Sequence, residues 1–277
     1  MLVEAVALEK NQTEDLGILL KEIYVDQSAQ NIDLLLSQLM QIVEENKKHY
    51  KNDNSQYHLW DRSSVVLITY PDAVYFPDQS SLKVLAKLLI NYIGNLSSVV
   101  HILPFLSSTS DGGFAVSSHY NIHPGLGDWE DLKSIAKDRK LMADIVLNHV
   151  SSSHPWVEDF IKDKKPCCNY ILSPLNKKDW LNVFRPRNSE LFTPFKTVNG
   201  IRNVWTTFGP DQIDLNWNEP YLLIEFLKLI AKYVNYGVSW LRLDAVGFIW
   251  KRPGGRCLHE NEAHKLVKVL RILLNKL

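Results

Sequence analysis

The chain has 277 residues, 45% of them hydrophobic and 22% charged, the composition of a globular protein with a sizeable core. Lys plus Arg number 31 and Asp plus Glu number 31, so nothing in the charge balance draws the chain to nucleic acid or to an anionic membrane surface. No apolar run approaches the roughly 18 residues that span a bilayer. The N-terminus MLVEAVALEKNQTED sets Glu4 and Glu9 inside its apolar stretch, without a basic leader or a long apolar segment, so no signal peptide is expected. Three sparse cysteines, Cys167, Cys168 and Cys257, make no disulfide framework and fit a reducing cytoplasm, and Cys167-Cys168 lacks the C-x-x-C spacing of zinc sites.

In chain order, residues 1–60 read as a polar, helical lead-in with apolar spacing in NIDLLLSQLMQIV. SVVLITY (64–70) is short, β-branched and apolar on both faces, as a buried parallel strand would be. A helix follows in SLKVLAKLLINYIG, with Ser80 placed to cap it and Gly94 to end it. SVVHILPF (98–105) predicts a second strand, DWEDLKSIAKD a helix capped by Asp128, and LMADIVLNHV (141–150) a third strand. Residues 151–205 lose the rhythm and read as an insertion, with the alternation resuming over 206–277. NEPYLLIEFLKLIAKYVNYG carries Pro220 in its first turn and Gly237 at its end, with Leu223, Phe226, Leu227, Ile230 and Val234 on one face. VSWLRLDAV (238–246) predicts a fourth strand and NEAHKLVKVLRILLNKL a fourth helix. Four strand–helix units imply a parallel α/β sheet. It is either an open doubly wound sheet or the first half of a (β/α)8 barrel, and periodicity does not separate the two.

Residues i and i+2 of a strand share a face, so Trp240, Arg242 and Asp244 point one way, and Leu241, Leu243 and Ala245 the other. A cation and a carboxylate on a buried strand need each other. A structural ion pair accounts for R-x-D as readily as a site does. Asp144 lies on one face with Val146 and Asn148, and His149 begins the following loop. If the third and fourth strands are neighbours, Asp144 and Arg242 meet. Asp72 follows the first strand, and His119 lies in the long loop after the second. Asp72, His119, His149, Arg242 and Asp244 all fall at or beyond the C-terminal ends of strands, the rim where α/β folds bind ligands.

DIVLNH, QIDLN (212–216) and GVSWLRLDAV resemble three ordered signatures of the α-amylase clan, glycoside hydrolase family thirteen. LITYPD, HILPF, DGGFAV, GDWEDL, TPF, VWTTFGPDQIDLN and LDAVGFIWK with Gly255-x-Cys257-x-His259 resemble its sucrose phosphorylase and glucosylglycerate phosphorylase branch, over about residues 64–275. The resemblance implies an incomplete TIM barrel, strands one to four, with a B-like insertion after strand three. It implies Asp244 as nucleophile and Arg242 as its positioning partner, with Asp72, His119 and His149 holding a glucosyl ring. Retention through a covalent glucosyl-enzyme and transfer to phosphate would give α-glucose 1-phosphate. The arginine is expected to keep the pKa of Asp244 low. Asn148 matches a calcium ligand of many amylases, but this branch is not regarded as calcium-dependent, so no metal and no cofactor are expected.

The family's acid/base glutamate, on the fifth strand, and its second aspartate, after the seventh, have no counterpart before Leu277. Glu260 and Glu262 come too early. The chain is therefore expected to be inactive alone, and to need a complementing C-terminal half or a homodimer. Its expected small-molecule partners are a sugar and phosphate. Three other readings stand beside this one: an inactive sugar-binding remnant, another clan hydrolase or transglucosidase, and a non-enzymatic scaffold.

Overall fold

The computed structural model describes residues 2–47 and 64–277. Two helices come first, α1 (Leu2–Ile23) and α2 (Ala29–Lys47), and the rest of the predicted lead-in, residues 48–60, lies outside the described residues. There follow β1 (Val66–Thr69), α3 (Ser81–Leu88), β2 (Val99–Ile102), α4 (Trp129–Ala136) and β3 (Lys140–Val146). The insertion contributes β4 (His149–Ser151), α5 (Pro155–Ile161), the hairpin of β5 (Phe192–Thr197) and β6 (Gly200–Trp205), and β7 (Gln212–Asp214). The chain closes with α6 (Pro220–Asn235), β8 (Val238–Asp244) and α7 (Asn261–Leu274).

The main sheet has the order β1-β2-β3-β8 and is parallel throughout. That order decides between the two architectures left open by periodicity. A doubly wound sheet reverses its strand order at a switch point, whereas a barrel adds each new strand on the same side. Here every strand is added on the same side, so the sheet is the first half of a barrel laid open. β1 is one of its two edges, and this corrects the expectation of a strand buried on both faces: Ile68 is 61% exposed. The third strand is shorter than expected, because it ends at Val146. His149–Ser151 leaves the sheet and pairs antiparallel with β7, matching His149 to Asp214 and Ser151 to Gln212.

Local chemistry explains the helix ends. Asp128 accepts from the Asp131 N–H and Asp131 accepts from the Asp128 N–H, a reciprocal capping box. Ser80 occupies the cap position of α3 but makes no cap bond; its hydroxyl donates instead to Asp131 Oδ2 at 3.1 Å, tying α3 to α4. Gly237 takes φ +89, and a Cβ there would stand 2.5 Å from that of Ala136, so only glycine lets β8 start this close to α4.

α6 is buried well beyond one face, from Leu222 through Tyr233. It packs against β8 on one side and against α2 on the other, while α1 lies along α7. Leu16, Leu20, Leu35 and Leu39 accordingly join the same core as the sheet. The ring of Tyr24 meets Trp250 at 6.2 Å. A second, small core joins Leu191 and Trp205 of the insertion to Cys257 in the loop after β8. Among the described residues, no helix is long and apolar enough to cross a membrane.

Candidate active site

The parallel register sets Asp144 opposite Arg242 and Val146 opposite Asp244. Arg242 Nη1 donates to Asp144 Oδ1 at 2.5 Å and stands 3.0 Å from Asp244 Oδ1. Asp144 is buried, and its other oxygen faces His101 Nε2 at 2.8 Å. The predicted meeting of Asp144 and Arg242 is thus present. It forms a chain, His101–Asp144–Arg242–Asp244, running across three strands. The guanidinium of Arg242 also lies 5.6 Å from the ring of Phe114. β8 ends at Asp244, because Ala245 turns into the left-handed region at φ +50. Asp244 therefore closes the strand at its C-terminal end, and the alternation of faces stops there rather than continuing through Ala245.

The pKa of Asp244 departs from expectation. Burial raises it above the usual carboxylate range, Arg242 only partly offsets this, and the charges of Asp144 and Asp111 push the same way as burial. Asp111 was missed in the sequence. It sits in the loop after β2 with φ +56, and its Oδ2 accepts from Gln212 Nε2 at 2.8 Å. The same Gln212 nitrogen is 3.1 Å from His149 Nε2. Gln212 thereby links Asp111 to His149. The available signal was Asp-Gly-Gly: Gly113 takes φ +103, and a Cβ there would meet Pro104 at 2.7 Å, so this loop is folded tightly over the strand end.

His149 is buried and held neutral, its pKa lowered to about 4 chiefly by loss of solvent. Phe208 packs on its ring at 5.2 Å. Asn148 lies beneath. Its Nδ2 donates to Asp214 Oδ2 at 2.9 Å, and its Oδ1 accepts from Lys251 Nζ at 2.6 Å. Lys251 is itself 4% exposed and 2.6 Å from Asp214 Oδ2. The ammonium group fills the space between Asn148 and Asp214, so these oxygens are satisfied by a lysine and do not fit an added metal ion. Among the described residues, no cluster of three or more His, Cys, Asp or Glu side chains could hold one.

Two predicted site residues are not brought to this cluster. Asp72 is exposed in the turn after β1. His119 is buried, with its ring against His154, Trp156 and Phe226. His154 Nδ1 accepts from the Trp156 N–H, so its Nε2 carries the proton and donates to His119 Nδ1 at 3.1 Å. His119 lines a small cavity of about 10 Å3 with Asp144 and Tyr233, room for about one water. Glu260 and Glu262 are both engaged by Arg252.

Comparison with known proteins identifies the family. A glucosylglycerate phosphorylase of Allomeiothermus silvanus is 43% identical over 216 residues, covering 78% of this chain and 39% of that protein. A sucrose phosphorylase of Agrobacterium vitis is 30% identical over 224 residues, covering 76% and 45%. The crystal structure of sucrose 6F-phosphate phosphorylase from Thermoanaerobacter thermosaccharolyticum superposes with a TM-score of 0.72 at 29% identity, over 81% of this chain and 48% of that one. The chain thus spans less than half the length of these relatives. Residues 84–268 match the model of the alpha amylase catalytic domain, and the chain belongs to that family.

Proposed function

We propose that the rim formed by Asp111, His149, Arg242 and Asp244 receives the glucosyl ring of an α-glucoside, as part of a retaining glycoside phosphorylase. The observation that carries this reading is the bridge of Arg242 between Asp144 and Asp244, at the last register position of β8. Arg242 fixes the direction of the Asp244 carboxylate. Burial raises the carboxylate's free energy, and forming an ester removes its charge. In the first step Asp244 attacks the anomeric carbon, a glucosyl–Asp244 bond forms, and the glycosidic C–O bond breaks. The departing oxygen must gain a proton. In the second step an oxygen of phosphate attacks the same carbon and releases Asp244, giving α-glucose 1-phosphate with net retention.

The proton donor for the first step should stand roughly 5 Å from the nucleophile. Glu260 and Glu262 are engaged by Arg252, so neither is assigned that role, and this part of the barrel is assigned the nucleophile and the sugar-holding rim. That same engagement favours a second reading, in which the chain binds sugar without turnover.

The test is to mix this chain with the complementary strands of the Allomeiothermus glucosylglycerate phosphorylase. Phosphate-dependent release of glucose 1-phosphate is then measured from sucrose and from glucosylglycerate. Turnover is expected from the assembled pair, and Asp244→Asn should lower it by at least ~10⁴-fold. A soluble, assembled pair with no turnover would establish the sugar-binding reading instead.

A further inference from the structure

We propose that Asp211 is a positioning residue, a brace that holds the Asp111 loop and the His149 strand in one shared geometry; this rests on the reading above, that the rim binds a sugar. Asp211 immediately precedes β7, the short strand by which the insertion returns to the barrel. Its Oδ2 accepts from the hydroxyls of Thr109 and Ser110, each at 2.6 Å. Its Oδ1 accepts from the Ser152 hydroxyl at 2.5 Å, the Ser152 N–H at 3.2 Å and the Ser151 hydroxyl at 3.3 Å. Thr109 and Ser110 lead directly into Asp111. Ser151 and Ser152 follow directly from His149 and Val150. One carboxylate therefore fastens the backbone beside both residues, while the next residue, Gln212, joins their side chains.

The brace answers a local need. Asp111, Gly112 and Gly113 take φ +56, +59 and +103 in succession. A non-glycine residue in the left-handed region is strained and keeps that conformation only when its surroundings over-determine it. The turn's own backbone bonds are Thr109 N–H to Ala115 O at 3.0 Å, Phe114 N–H to Asp111 O at 3.1 Å, and Gly113 N–H and Ala115 N–H to Ser110 O, each at 3.3 Å; none of them ties the turn to the His149 strand. Hydrogen bonds to an ionised acceptor are about twice as strong as neutral ones, and Asp211 gathers five of them from two loops that are otherwise about 40 residues apart in sequence. Without it, the Asp111 carboxylate would lose its fixed approach to the site, while the sheet below stayed intact.

The experiment measures amide hydrogen exchange on the whole 277-residue chain, together with titration by D-glucose. In Asp211→Leu, exchange across residues 109–115 should rise at least ~10-fold, with β2 and β3 unchanged. D-glucose affinity should fall by a similar factor. Asp211→Asn, which keeps one acceptor oxygen, should restore part of both. Unchanged exchange at 109–115 in Asp211→Leu would overturn the proposal. If that variant fails to fold, the pair Thr109→Val and Ser110→Ala removes the Oδ2 bonds alone and is judged by the same exchange. If the unaltered chain binds no D-glucose, the sugar reading fails, and the exchange result still decides the brace.

Discussion

Asp244 stands between opposing influences. Burial and the nearby charges of Asp144 and Asp111 disfavour its ionised form, and Arg242 favours it. Three buried histidines nearby show a simpler case of the same physics. Loss of solvent lowers His119 and His149 to about 4 and His154 to about 2. Each is neutral in the folded chain, whereas in the unfolded chain it gains a proton near pH 6.5. Their contribution to stability is therefore complete above pH 6.5. It diminishes as pH falls from 6.5 toward 4, by up to about 1.4 kcal/mol per pH unit for each histidine. Urea unfolding at pH 7, 6 and 5 should show this decline, and His154→Gln should flatten it. A stability that is level over that window would contradict the buried, neutral histidines.

At the scale of elements, the N-terminal helices are structural members of the barrel half. Leu39 of α2 is fully buried between α2 and its neighbours. Leu39→Ala should cost about 2–4 kcal/mol in urea unfolding, whereas a helix merely trailing the domain would give a change within about 0.5 kcal/mol. The sequence showed β8 clearly, because a single ion pair in a two-residue period determines which side chains share a face. It showed α4 clearly, because Asp128 and Asp131 carry a cap signal within one turn. It placed His149 at the end of β3 but not in the short ladder with β7, since three residues cannot display a period. It missed the role of α2, because the polar spacing of that helix states that one face is apolar and not what the face meets. It missed Asp111 for a related reason: the conformation that brings the carboxylate to the rim comes from three successive positive φ angles, and a loop histidine in the same stretch offered a more familiar chemistry.

For the whole molecule, the open sheet dominates. Among the described residues β1 and β8 are the two edges of the sheet, and β1 presents Val66 and Ile68 to solvent. Unpaired parallel edges with apolar faces invite association. Alone at micromolar concentration, the chain is expected to form oligomers or aggregates by light scattering, and the complementary strands should convert it to a discrete complex. A monodisperse monomer with a sharp melting transition would contradict this. The region these relatives share with this chain is less than half of their own length, which is why a complementary half rather than an unrelated protein is the partner to try.

The clasp of α1 on α7 also sets a timetable for synthesis. The two helices stand about 240 residues apart in the chain yet lie side by side. At about 5–20 residues per second, α1 leaves the ribosome roughly 10–50 s before α7 exists to receive it. During that interval Leu16 and Leu20 have α2 but not α7 to pack against, and the face that α7 will cover is available to chaperones. Closure of α1 on α7 is therefore a late, non-local step, and contacts of such high sequence separation slow folding.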